Sequence, residues 1–414
     1  MSWNEITLGE AFTVKHGFAF KSEYFGSSGR HIVVTPGNFN EAGGFRIRPE
    51  KERFYAAEPP EEFVLKPGDL IVAMTEQGEG LLGSSAIVPS EGSFLHNQRI
   101  GLVENLDERK LDRGFLYLLF NSRTVRAQIR STASGTKVRH TAPKRIYSVK
   151  VRVPDLAQQR AIAACAGTYQ DLIENNRKRI VLLKEAVRLL YREWFVKFRF
   201  PGNEHTKVIQ GLPVGWRKRA LGQLTTKIGS GATPRGGEAS YLSTGIPLIR
   251  SLNVYDDQFN EDGLAFIGEN QAAALNNVIV ESRDILLNIT GASVARCCMA
   301  PERYIPARVN QHVMILRVDQ NEADPFFVHA AINSDERKRQ LLSYARKGAT
   351  REALTKDMMA AFEITIPTED LMRQFGEIAG TSFLQLENLA NQNEKLKTAR
   401  NWLLPRLMSG EIAV

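Results

Sequence analysis

Beyond Pro154, seam residues recur at alternating intervals of four and three: Ile162, Ala166, Tyr169, Ile173, Asn176, Ile180, Leu183, Val187, Leu190 and Trp194. That rhythm is a heptad seam, and over about 40 residues it predicts a helix of roughly 60 Å with Asp155 as its N-cap. A second seam follows Pro367 through Phe375, Ala379, Ser382, Leu386, Leu389, Asn393, Leu396, Arg400, Leu403 and Leu407. Each helix alone leaves its stripe in water. The two are therefore expected to pack on one another, antiparallel because a globular segment separates them. An ordinary core helix in each domain is the competing interpretation, but about 40 unbroken residues exceed the usual length of roughly 11–12. One amide interrupts each seam, Asn176 and Asn393, and these are expected to fix the register.

Outside the seams the pattern changes to short apolar runs between Gly- and Pro-containing turns, such as Ile32-Val33-Val34, Leu70 to Met74 and Ile279-Val280. These predict sheet. One helix is expected from about Asp112 to Arg130, with Phe115, Leu119 and Ile129 on its apolar face, and another from about Pro325 to Ala345.

The two helices stand at the same place in two copies of one unit. Trp3 to Gly9 matches Trp216 to Gly222, about 213 residues on, and Lys15-His16-Gly17 matches Lys227-Ile228-Gly229. Pro67 to Val72 matches Ser282 to Leu287, and His96-Asn97-Gln98-Arg99-Ile100 matches Val309-Asn310-Gln311-His312-Val313. Ser134 to Lys137 pairs with Lys347 to Thr350, and each is followed by a β-rich run ending at Pro154 or Pro367. Five matches in one order at nearly one offset indicate duplication. The expected fold class is α+β: two mixed domains separated by two long antiparallel coiled-coil-like helices, with pseudo-twofold symmetry. The expected boundaries are 1–154 and 201–367 for the globular domains, and 155–200 and 368–414 for the helices.

With 414 residues, 43% of them hydrophobic and 24% charged, the chain is long enough for two packed domains. A net charge of +8 is compatible with a polyanionic partner without demanding one. The opening residues lack a basic segment followed by an apolar one, and no long apolar run occurs, so a cytoplasmic location is expected. Cys165 and the adjacent Cys297-Cys298 have neither disulfide pairing nor zinc spacing.

Catalytic motifs are missing where they would be sought. Glu58-Pro59-Pro60-Glu61 lacks the leading Asn or Asp and the aromatic of an adenine methyltransferase motif. Gly78-x-Gly80-x-x-Gly83 matches a dinucleotide fingerprint, but Ser84 to Pro89 reads as a strand where a helix should open. No phosphate-binding lysine loop is present, and the seven histidines show no metal spacing. His96 and His312 read as structural. The expectation is a non-catalytic chain with no cofactor and no metal.

The Trp-x-x-x-x-Leu-Gly starts, the Asp-aliphatic strands, the Gly-Thr and Gly-x-Thr loops, Ser230 to Pro234, and the closing Leu403 to Ile412 together resemble the specificity subunit of type I restriction-modification systems. The resemblance covers essentially the whole chain. It implies two target recognition domains that each read half of a bipartite, asymmetric site on double-stranded DNA, with the helices as spacer. It also implies two methyltransferase subunits as partners, through which restriction and translocase subunits join. The first copy's Phe18-Ala19-Phe20-Lys21 lacks the Thr-Pro of the second. A stand-alone DNA-binding regulator with the same repeat is the alternative.

Base readout needs forked donors or amides on loops, and phosphate contact needs Lys and Arg. In the first half this selects Lys15, Lys21, Gln77, Lys137 and Arg139. In the second it selects Arg235, Arg250, Asn253, Asn288, Thr290, Lys347, Thr350 and Arg351. The loops around Lys137 and Lys347 rank first, because Gly, small hydroxyls and basic residues recur there in both copies.

Overall fold

Both halves open on the same pairing: Asn4–Thr7 runs antiparallel to Lys150–Val153, and Arg217–Ala220 to Glu363–Ile366. The computed structural model describes residues 3–48, 51–77, 80–347 and 353–414. In the first half an antiparallel sheet has the order Thr13–His16, Ile100–Glu104, Leu70–Ala73, Ser85–Ile87. The second half repeats that order with Thr225–Ser230, Val313–Val318, Ile285–Asn288 and Cys297–Met299. Every residue of Leu70–Ala73 and Ile285–Asn288 is buried, as the apolar runs Leu70–Ala73 and Ile285 to Leu287 require. Each half adds a second sheet with one parallel pair, His31–Val33 beside Phe94–Leu95 and Ile246–Ile249 beside Ala307–Val309.

The registers correct one of the sequence matches. His16 lies opposite Gly101 and Ser230 opposite Met314, so Gly17 corresponds to Gly231 and not to Gly229. A register shift between Thr225 and Lys227 adds a residue to the second copy, which the comparison of short motifs passes over.

The single helix expected in each half is two. Asp112 caps Arg113–Asn121, its carboxylate accepting from the Phe115 N–H at 2.9 Å, and Ser122 then breaks the chain and caps Arg123–Ser131. Asp324 does the same for Pro325–Asn333, with Ser334 interrupting before Asp335–Lys347. In both breaks the serine adopts extended backbone angles and returns its hydroxyl to a carbonyl of the preceding turn, at 2.7 Å. Serine competes for backbone hydrogen bonds in this way, which an apolar periodicity does not register.

The long helices span Leu156–Tyr191, continued by one π-helical turn Arg192–Val196, and Glu369–Ser409. The chain divides into two compact units, Met1–Ile173 with Lys395–Val414, and Glu174–Glu394. Each unit thus combines a globular half with parts of both helices. In the first unit Ile162 and Ala166 share a core with Leu403 and Leu407, together with Phe115, Leu116 and Phe120. In the second, Tyr191 and Phe195 pack with Phe327 and Phe375 at ring separations of 5.0 to 6.1 Å. In the second unit the partner falls from Asn393 beside Asn176 to Phe375 beside Tyr191, so the segments there are antiparallel. Seam residues Ile173, Asn176, Leu389 and Asn393 are buried, while Ile180, Leu183, Val187, Leu386, Leu396 and Leu403 are half-buried.

Candidate nucleic-acid interface

In each domain three distant segments meet at the end of the central buried strand. The first domain's strand runs on through Met74 into Thr75–Glu76, which pairs with Arg139–His140. The Met74 N–H donates to the Arg99 carbonyl at 3.0 Å, and the Thr141 N–H donates to the Met74 carbonyl at 2.9 Å. The second domain builds the same junction. The Ile289 N–H donates to the His312 carbonyl at 3.0 Å, the Leu354 N–H to the Ile289 carbonyl at 2.8 Å, and Thr290 bridges Ala353. Thr75 and Thr290, Arg99 and His312, and His140 and Ala353 are equivalent pairs.

The turn entering this junction is shaped by asparagine. Asn97 Oδ1 accepts from the Arg99 N–H at 3.1 Å and Asn310 Oδ1 from the His312 N–H at 3.0 Å, an Asx turn that leaves Gln98 and Gln311 exposed. Gly17 and Gly231 lie against these turns. A Cβ at either position would collide with the carbonyl of Asn97 or Val309, so glycine is required by close approach.

The basic loop of the first domain is closed by Ser134 and His140, which exchange backbone hydrogen bonds at 3.0 and 2.8 Å. Arg145 donates to the Ser134 hydroxyl and the His140 carbonyl, leaving Lys137 exposed at the tip. Beside it, Glu76 is buried, and its Oε2 accepts the N–H groups of Gly80, Leu81 and Leu82 at 3.1, 3.0 and 2.8 Å. The Arg126 guanidinium ties the carbonyls of Leu82, Glu41 and Gly80. Gln77 is exposed at the start of this anchored loop.

Several selected residues sit elsewhere. Lys15 donates to the Glu62 carbonyl at 2.9 Å and lies 4.9 Å over the Phe63 ring, whereas Lys21 is exposed beside Glu23. The Arg250 guanidinium is held by Glu238, the Gly263 carbonyl and the Tyr241 ring. Arg235 is exposed on its loop, and Arg139 is half-buried in its strand pair.

Asn253 and Asn288 require correction: both are fully buried and cannot reach a base. Asn253 accepts from the Arg250 N–H and donates to the Asn260 carbonyl, a role that Asn38 repeats in the first domain with Thr35 and Arg46. Asn288 donates to the carbonyls of Ser251 and Val254. Thr350 and Arg351 lie outside the described residues, as does the side chain of Lys347.

Residue reasoning passed over Arg99, Gln98, Gln311, Thr233 and Glu76. The Asn-Gln pair repeated in both copies was the available signal for the glutamines. No group of His, Cys, Asp and Glu able to hold a metal ion is found among the described residues, and none of their helices is long and apolar enough to cross a membrane. Cys297 and Cys298 are buried, and burial pushes both thiols far up, so they stay protonated.

A family model described as the type I restriction modification DNA specificity domain matches residues 1–185 and, separately, 213–393. The chain is similar to the type I restriction enzyme MjaIX specificity subunit of Methanocaldococcus jannaschii, 24% identical over 306 residues that cover 72% of this chain and 69% of the relative. It is also similar to the type I restriction enzyme EcoBI specificity subunit of Escherichia coli, at 21% over 437 residues, covering 99% and 86%. In fold it resembles the S subunit of a type I restriction-modification system from M. genitalium, with a TM-score of 0.64 at 15% identity, covering 98% and 96%.

Proposed function

We propose, for a chain that belongs to the type I restriction-modification DNA specificity family, a recognition role in which each domain reads half of a bipartite, asymmetric double-stranded DNA site. The chain is the recognition subunit and leaves the chemistry to its partners. One observation carries the reading: the same three-segment junction is built twice, on equivalent backbone, with different side chains at its exposed positions. Gln98-Arg99 in one copy stands where Gln311-His312 stands in the other. Shared scaffolding with divergent tips is what two unlike half-sites require.

Lys137, Arg99, Arg235, Lys347 and Arg351 supply the phosphate contacts in this reading, and Gln77, Arg139, Thr290 and Thr350 are further contact candidates. Two methyltransferase subunits bind the chain, one on each unit. Large apolar side chains exposed on the helical parts support this: Val181, Leu182, Leu189 and Leu384 in one unit, Leu172 and Trp402 in the other. Restriction subunits join through that core, in the cytoplasm. The divisions 1–154, 155–200, 201–367 and 368–414 are kept, with the helices setting the gap between half-sites.

The test is DNA binding by the complex reconstituted with its methyltransferase subunit. Lys347→Ala with Arg351→Ala weakens binding and lowers the slope of log affinity against log salt by about one for each phosphate no longer neutralised, while the methyltransferase subunit still binds. An unchanged slope overturns the assignment.

A further inference from the structure

The Asx turn of the second domain presents Gln311 in a hydrogen-bonded chain of side chains. The Thr233 hydroxyl donates to Gln311 Oε1, Gln311 Nε2 lies 3.0 Å from His312 Nε2, and His312 Nδ1 lies 2.6 Å from the Thr290 hydroxyl. With the Gln311 amide as donor to His312 Nε2, the ring's Nδ1–H is left to donate to the Thr290 hydroxyl. His312 thereby props the glutamine, and Thr290 in turn is seated on the strand end where Ala353 bridges it.

The carboxamide of Gln311 is left with one lone pair on Oε1 and one N–H on Nε2, both unspent, on an exposed turn. One acceptor and one donor side by side are the complement of the N6 amino group and N7 of adenine in the major groove. Holding a glutamine in place beforehand also reduces the rotamer entropy given up on binding, which would otherwise offset the gain. We propose that Gln311 reads an adenine in the half-site bound by the second domain, with Thr233 and His312 as its positioning residues. The proposal rests on the DNA-recognition role given above. Gln98 occupies the equivalent place in the first domain, followed by Arg99 in place of the histidine prop, so the two glutamines are not held alike.

The experiment uses the complex assembled with its methyltransferase subunit and DNA in which the second half-site is randomised while the first is kept. Gln311→Ala is expected to lower discrimination at one adenine position by roughly tenfold or more and to leave first-half-site preferences unchanged. Replacing that adenine by 7-deazaadenine, which lacks the N7 acceptor, should weaken the parent complex and leave the Gln311→Ala complex indifferent. Thr233→Ala should give a smaller loss at the same position. The proposal is overturned by unchanged preferences, by a uniform loss across both half-sites, or by a parent complex insensitive to 7-deazaadenine at every adenine of the second half-site. Failure of the underlying reading would look different, because the parent complex would then show no half-site preference at all.

Discussion

Asn176 Nδ2 donates to Asn393 Oδ1 at 3.1 Å, joining the two helical seams by the only amide each contains. Both side chains are buried. Replacing either one by Leu leaves the other amide without its partner, at a cost of about 1–3 kcal/mol. Replacing both removes the polar demand and should recover most of that loss. A double-mutant cycle on thermal unfolding should therefore give a coupling above about 1 kcal/mol. Additive losses would show that the pair does not act as a unit.

Asp284 is fully buried and meets Arg317 in a two-pronged ion pair, Nε to Oδ1 and Nη2 to Oδ2, each 2.8 Å. Burial pushes the carboxyl upward against the pull of Arg317. Arg317→Met should cost about 3–5 kcal/mol by leaving that charge uncompensated, and adding Asp284→Asn should restore part of it. The first copy has Glu104 opposite Thr13 at the equivalent of Arg317, and Asp69 there is only half-buried and accepts from the Lys66 N–H at 2.7 Å.

Burial pushes the His96 imidazole down to about 4 from its usual 6.5; Nε2–H donates to the Ile100 carbonyl at 2.9 Å, and Nδ1 is buried with no partner. The folded state therefore holds this ring neutral where the unfolded chain would protonate it. The contribution to stability is complete above about pH 6.5 and is lost as pH falls toward about 4, by up to about 3 kcal/mol. His96→Gln keeps a donor toward Ile100 and removes the titration. Urea midpoints between about pH 4 and 7 should flatten in that variant, and an unchanged profile would exclude His96 as the cause.

Glu76→Ala removes the acceptor for three backbone N–H groups of residues 80–82. Hydrogen exchange at Gly80, Leu81 and Leu82 should accelerate, and affinity for the first half-site should fall while preferences at the second half-site persist. Equal losses at both would place the effect outside this loop.

Much of the fold was legible because its signals are local. Asp112 and Asp324 act on amides three residues away, and the seams repeat within single helices, so composition along a short window reveals them. The serine breaks were missed for a related reason. Ser122 and Ser334 interrupt an apolar periodicity without changing it, and only their backbone angles show the stop.

The site was less legible. Asn253 and Asn288 are chemically suited to bases, but backbone partners elsewhere in the fold decide whether an amide faces solvent or holds carbonyls inside. Here Asn288 serves Ser251 and Val254, more than thirty residues back, and the sequence offers no distance between them. Gln311 had the opposite fate: a residue in an ordinary turn became a candidate reader because Thr233, far behind it in the chain, closes on its amide.

The sequence by itself determined the duplication, the α+β class, the two long helices and the buried amide on each, since all are periodic or capped within a few residues. The tertiary structure alone decided which loops converge and which polar side chains remain free. Those outcomes depend on strand register, on one added residue at Thr225 to Lys227, and on backbone partners brought together across the sheet.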